Sequence, residues 1–175
     1  MTDINEQPRL SPGRILAGAP ARPISEQAIV ELVELLFFAY RDFVADPDKI
    51  LAGYGFGRAH HRVLHFVGRS PGLRVQELLD ILRITKQSLA RVLRELIDEG
   101  FIYQTEGEAD RRQRLLFLTP AGEALHRRLM APQVERVRRA LAAAGEPADG
   151  QYRRVLAGLA GDLPVPGKAP AGEAA

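Results

Sequence analysis

Apolar residues recur at helical spacing along most of this chain, and in one place the period changes. Between Ser25 and Ala45 the positions Ile29, Val30, Leu32, Val33, Leu35, Leu36, Phe37, Phe38, Tyr40 and Phe43 wrap most of a helix circumference. Ser25 followed by Glu26 marks its start. Asp46-Pro47 marks its expected stop, because the residue before a proline is steered out of the helical region. A helix apolar on nearly all sides needs cover on several sides, most simply from a partner subunit. A second helix is predicted from Phe56 to Arg69, with Pro71-Gly72 as the turn after it. Val75, Leu78, Leu79 and Leu82 mark a short amphipathic helix that gives way after Arg83. Thr85 is the N-cap of the next one, which buries Leu89, Val92, Leu93, Leu96 and Ile97, exposes Gln87, Arg91 and Arg94, and ends at Gly100. Two short helices across a tight turn predict a helix-turn-helix.

The period then shortens. Phe101 to Tyr103 and Leu115 to Leu118 read as short strands, separated by a polar, glycine-containing stretch with Asp110, Arg111, Arg112 and Arg114. The helix-turn-helix therefore carries a charged wing, and the fold class is mainly α with a small β-wing. Thr119 as N-cap and Pro120 at the first helical position restart a helix, with Leu125 and Leu129 on one side. Pro132 is expected to kink or break it. The pattern resumes at Val134, Val137 and Leu141, pauses at Gly145 to Pro147, and returns as Tyr152, Val155, Leu156 and Leu159. Residues 1–22, rich in Pro, Gly and Arg, read as a flexible arm, and 163–175 as a low-complexity, disordered tail. Between them, 23–162 form one domain: a winged helix over about 56–120, flanked by dimerisation helices at about 24–46 and 120–162.

Composition narrows the function by exclusion. Lys plus Arg total 24 against 22 for Asp plus Glu, so only the placement of the cations can point to nucleic acid. The absence of cysteine removes disulfides, thiolate metal sites and thiol redox sensing. The first twenty residues lack the continuous apolar core of a secretory signal, and no apolar run approaches the roughly 18–20 residues of a membrane span, so a cytoplasmic protein without membrane contact is expected. No Gly-x-Ser-x-Gly and no glycine-rich loop between strand and helix occurs, so the chain is not read as an enzyme and no cofactor is implied.

On VQELLDILRITKQSLARVLRELIDEGFI at 75–102 and DRRQRLLFLTPAGEAL at 110–125, the chain resembles the MarR family of bacterial winged-helix transcriptional regulators. Asp-Arg-Arg followed by a strand and Leu-Thr-x-x-Gly is the specific part, and GRAHHRVLHFV at 57–67 looks like the PetP-type branch. The resemblance covers roughly 25–162. It implies a homodimer with intertwined terminal helices, two winged lobes in successive major grooves of double-stranded DNA, and repression by promoter occupancy. A winged helix used only for protein contact, or an activator without an inducer, is the alternative, since fold does not imply function.

Residue types suggest roles. Thr85, Lys86, Gln87, Ser88 and Arg91 lie at the end of the recognition helix that enters the groove, where free N–H groups favour phosphate. Gln87 can pair bidentately with adenine and Arg91 with guanine, each worth roughly 1–3 kcal/mol of discrimination; Lys86 and Ser88 suit phosphate. By the resemblance, Asp110 orients the neighbouring arginines while Arg112, with Arg111 the second choice, enters the minor groove, where negative potential is enhanced over A·T-rich sequence. Arg114 on the strand reaches phosphate. Arg94 is set apart, because Glu95, Asp98 and Glu99 make that end acidic and an i,i+4 pair with Asp98 is open to it. The other reading of Arg111 is a surface ion pair with Asp110 or Glu108.

Three histidines, at 60, 61 and 65, fall on the second helix. His61 and His65 share a face at metal-ligand spacing, yet Arg58 and Arg62 lie on the same arc and disfavour a cation, so no metal is expected. A polar contact to the adjoining lobe, or in a ligand pocket, fits better. Members of the family commonly bind aromatic or anionic molecules between dimer helices and winged lobe, and the resemblance places Phe37, Tyr40, Arg58, His61 and His65 around such a space.

Overall fold

The computed structural model describes residues 24–107, 110–145, 147 and 150–160, and the expected arm and tail lie outside them. In chain order these form α1 (Glu26–Ala52), α2 (Arg58–Arg69), β1 (Leu73–Arg74), α3 (Val75–Leu82), α4 (Lys86–Asp98), β2 (Ile102–Glu106), β3 (Arg114–Leu118), α5 (Pro120–Ala144) and α6 (Gln151–Ala160). The predicted class holds: helices with one small antiparallel sheet, ordered β1-β3-β2. β2 and β3 make the ribbon, in a register that pairs Ile102 with Leu118 and Glu106 with Arg114. β1 is too short for any period to show in the sequence. It joins because Gly72, at φ +84°, turns the chain so that its N–H donates to Leu116 O at 2.9 Å and Leu73 pairs with Leu116.

Side chains from α2, α3, α4, the ribbon and α5 meet in one core, where Leu64, Leu78, Leu96, Leu116 and Leu129 are fully buried. Between α3 and α4, Arg83 takes the left-handed conformation (φ 50°) and its N–H returns to Leu79 O. Arg62 Nη2 donates to Leu82 O at 3.0 Å, so α2 serves the free end of α3.

Two boundaries differ from expectation. α1 does not stop at Asp46-Pro47: it runs on to Ala52 with Pro47 inside it and buried. A proline at 47 removes the N–H that would have served the carbonyl of Phe43, the residue four before it. That carbonyl accepts instead from Nε2 of Gln133 on α5, at 3.2 Å, and Gln133 is itself 5% exposed. The helix survives because the missing donor arrives from another element, which no local rule can see. Pro132 likewise fails to break α5, which is continuous from Pro120 to Ala144. The neighbouring Leu129 and Gln133 are buried on the two sides of it, and packing overrides a local cost of about 3 kcal/mol.

The first half of α1 keeps the apolar surface its pattern announced. Leu32, Leu35, Phe37 and Phe38 are more than half exposed, as are Val155 and Leu159 on α6.

Candidate nucleic-acid interface

Capping places the recognition helix. Thr85 Oγ1 accepts the Ser88 N–H at 3.1 Å and donates its own proton to Ser88 Oγ at 2.8 Å, which leaves the Ser88 hydroxyl proton free for an external acceptor. Leu89, Val92, Leu93 and Leu96 anchor one face of α4, and Lys86, Gln87, Ser88, Arg91 and Arg94 all stand exposed on the other. At about 100° per residue Arg94 projects within roughly 20° of Gln87, in the middle of that arc. It forms no ion pair with Asp98 among the described residues. Together with Lys86, Arg112 and Arg114 it lines a groove of about 990 Å³ between α4 and the wing, which Glu77, Asp80 and Asp98 also border.

The wing tip is a turn closed by Gln113 N–H to Asp110 O at 3.0 Å. Asp110 Oδ1 accepts the Arg112 backbone N–H at 2.9 Å. An aspartate bonding its own backbone two residues on is a standard way to hold such a turn, and here it sets the direction in which Arg111 and Arg112 leave the ribbon. The carboxylate forms no ion pair with either guanidinium among the described residues; Glu108 lies outside them. Arg114 pairs across the ribbon, its Nη1 2.8 Å from Glu106 Oε1.

Behind α4, helix α2 lines a second space on its other side. Tyr40, Phe43 and Val44 of α1, Arg58, His61, Arg62, His65 and Phe66 of α2, and Met130 and Gln133 of α5 enclose about 300 Å³. Four of the five residues expected around a ligand therefore meet; Phe37, one turn before Tyr40, is exposed on α1 and is not part of this lining. Arg58 is held by Asp48 (Nη2 to Oδ2, 2.8 Å) and lies 5.6 Å from the Tyr40 ring centre. His65 Nδ1 is 3.5 Å from His126 Nε2. Burial first, and then the neighbouring His126 and His61 rings and Arg69, push His65 down to about 4. His61 and His126 are also lowered, in each case chiefly by burial. Among the described residues no group of three or more His, Asp or Glu side chains is disposed to hold a metal.

Comparison with known proteins agrees with this geometry. Residues 54–113 match the model of the MarR family, a span that holds α2, the helix-turn-helix and the wing tip. The chain is 47% identical over 133 residues, 76% of its own length and 80% of the relative's, to the HTH-type transcriptional regulator PetP of Rhodobacter capsulatus. This chain belongs to the MarR family. Among solved structures, a MarR family transcription regulator superposes with a TM-score of 0.61 at 21% identity, over 77% of this chain and 89% of that one. A mutant MarR from E. coli in complex with operator DNA superposes with a TM-score of 0.53 at 20% identity, over 73% and 91%. The chain is thus a winged-helix transcriptional regulator. No described helix is long and apolar enough to cross a membrane.

Two pieces of the motif that marked the family now have physical reasons. Thr119 Oγ1 accepts the Gly122 N–H at 3.0 Å and donates to Gly100 O at 2.6 Å, which ties the start of α5 to the end of α4. Gly122 has no room for a side chain, since a Cβ there would run into the Phe101 carbonyl. Three residues near the sites carry no local signal in the sequence. His126 sits on α5 with no periodic signal, Gln133 answers a proline 86 positions away in sequence, and Glu95 stands in an acidic helix end. Its Oε1 is 2.9 Å from Arg91 Nε and its Oε2 2.6 Å from His60 Nε2. Hydrogen bonds from Arg91 and then His60 hold the Glu95 carboxyl below its usual range.

Proposed function

We propose that this regulator binds a pseudo-palindromic operator as a homodimer, represses by occupying it, and releases it when a small aromatic or anionic ligand enters the cavity beside α2. The observation that carries the reading is the exposed arc of Lys86, Gln87, Arg91 and Arg94 on α4, in which Lys86 and Arg94 share one groove with Arg112 and Arg114 of the wing. Gln87 and Arg91 suit base edges, Lys86, Ser88 and Arg114 suit phosphate, and Arg112, with Arg111 as its alternate, suits the narrow minor groove. Arg94, without an ion pair to Asp98, joins the phosphate contacts. The unsatisfied apolar half of α1 supports the dimer, whose half-site centres are then about one helical turn apart. Phe37, exposed and outside the cavity lining, belongs to that surface. The relative from Rhodobacter is named as a regulator, which accords with a binding protein rather than an enzyme.

The cavity chemistry supports a ligand. Tyr40, Phe43 and Phe66 give apolar walls, while Arg58, Arg62 and neutral imidazoles at His61 and His65 give donors for a carboxylate or phenolate. Such a ligand acts only by preferring a lobe arrangement that misfits the grooves, so it weakens DNA binding by the factor with which DNA weakens it.

Gel shifts on the DNA upstream of the chain's own coding sequence, at two salt concentrations, test the core of this reading. Specific binding that weakens steeply with salt is expected, and Arg91→Ala is expected to cost roughly 1–3 kcal/mol on the specific site alone. Salt-independent or absent binding would move the protein to a protein-contact role. Thermal-shift screening of aromatic acids, repeated on Arg58→Ala and His65→Ala, tests the ligand: hits indifferent to both changes would place it elsewhere.

A further inference from the structure

A single carboxylate touches both a buried imidazole and the exposed guanidinium assigned above to a base edge. Glu95 Oε2 lies 2.6 Å from His60 Nε2, and Glu95 Oε1 lies 2.9 Å from Arg91 Nε. The tautomer of His60 follows from its other nitrogen. Nδ1 accepts the Gly57 N–H at 3.1 Å and so carries no proton, which leaves the proton of the neutral ring on Nε2, donated to Glu95. The ring cannot turn away. It is 8% exposed and stacks on Phe56 with centres 4.5 Å apart and planes 6° apart.

This changes what the Arg91–Glu95 pair can do. An exposed i,i+4 pair on a helix is ordinarily weak, because two long side chains must be ordered for one contact in water. Here Glu95 is already ordered by a ring fixed in the core, so only Arg91 loses freedom. The pair engages Nε, and the two terminal nitrogens of Arg91 make no hydrogen bond among the described residues. Those are the donors that an end-on bidentate contact to guanine O6 and N7 uses. A guanidinium held by Nε and presented by its far edge is preorganised for that contact, so less ordering remains to be done on binding.

We propose that His60 and Glu95 are positioning residues for base reading: the buried face of α2, through one carboxylate, sets the direction in which Arg91 meets the groove. This rests on the assignment of Arg91 to a base edge. Lys86, Ser88 and Arg114 have no such support from the core, as suits phosphate contacts, which tolerate several geometries.

The full-length protein, wild type and variants, is used to select from a randomised duplex library, and base preference is read position by position. Arg91→Ala flattens the preference at one position in each half-site. Glu95→Ala lowers the preference at that same position about tenfold, within the discrimination such a pair provides, and leaves the other positions within twofold. His60→Asn keeps an acceptor for Gly57 N–H and loses the donor to Glu95; it behaves like Glu95→Ala. His60→Gln can place an amide donor where Nε2 stood, and it retains the preference although it loses the Gly57 contact. A purely structural role gives the opposite pattern, with both His60 variants lowering binding at every position alike, and this would overturn the proposal. So would an unchanged preference in Glu95→Ala, a surface change that carries the test even if the His60 variants unfold. If Arg91→Ala itself changes nothing, the base assignment falls first, and that result is distinct from one in which Arg91 matters and Glu95 does not.

Discussion

The seams that α2 makes with α4 and with α5 contain the same residue type and treat it in opposite ways. Toward α4, His60 finds a partner for each ring nitrogen, one from the start of its own helix and one from Glu95, and its ring is stacked and buried. Toward α5, His61, His65 and His126 gather near Arg58, Arg62 and Arg69, and no carboxylate hydrogen-bonds any of the three rings among the described residues. Asp48, whose charge reaches His61, is taken by Arg58. Burial and like charge drive these rings toward the neutral form, and space is left over. A histidine with both nitrogens satisfied is a joint that holds two helices in register. The half-buried rings of the other seam have a single hydrogen-bond contact among the described residues, His126 Nε2 to His65 Nδ1, and their other nitrogens have none. Position on the helix decides which is which, since His60 and His61 differ by one residue and about 100°.

The largest effect that would test this contrast is expected at the joint. His60→Ala removes a stacked, buried ring and the partner of the Gly57 N–H, and should cost about 2–4 kcal/mol of unfolding free energy, measured by denaturant titration. A cost below about 1 kcal/mol would mean that the α2–α4 seam is no tighter than the α2–α5 seam.

A smaller effect should come from the far edge of the cavity, where Gln133 serves Phe43 O. Gln133→Leu leaves that carbonyl buried and unserved, at a cost of about 1–3 kcal/mol. In a Pro47→Ala background the restored backbone N–H can serve Phe43 O, so the same Gln133→Leu change should cost much less. Equal costs in both backgrounds, measured as a double-mutant cycle, would disconnect the glutamine from the proline.

The smallest effect is electrostatic and has a definite sign. His65 titrates at about 4 in the folded chain against an ordinary 6.5, so between those values the unfolded chain holds more protons and acid favours unfolding. Stability is full above pH 6.5 and declines as the pH falls toward 4. The ring is only half-buried, so solvent screening limits the loss to roughly 1–2 kcal/mol. His65→Phe should remove most of this slope while changing stability at pH 7.5 by less than about 1 kcal/mol. An unaltered slope would assign the acid sensitivity to His61 and His126 alone, the other two rings lowered by the same seam.

What could be read in advance was whatever repeats or caps within a few residues. The buried face of α4, the Thr85 and Thr119 caps and the ribbon on either side of Asp110 all appear where periodicity and turn chemistry place them. Tyr40, Arg58, His61 and His65 were brought together by the family resemblance, and the fold places them on one cavity. β1 was invisible because two residues hold no period. The acidic neighbours of Arg94 argue against a place in the groove, whereas its projection angle puts it beside Gln87.

The order of the helices, their caps and the face of α4 that is offered to solvent are legible along the chain, because each rests on contacts between residues four or fewer apart, while the wing and the family show as a change of period and a motif around one turn. The place of Pro47 inside a helix, the use of Gln133 as its missing donor, and the sharing of Glu95 between Arg91 and His60 depend instead on how the elements pack. Phe43 O and His60 Nε2 are hydrogen-bonding groups that their own helices leave over, and each is satisfied by a side chain far along the chain, Gln133 and Glu95. Such a pairing has no local signature, since it exists only once the core has brought the two elements within 3 Å or so of each other.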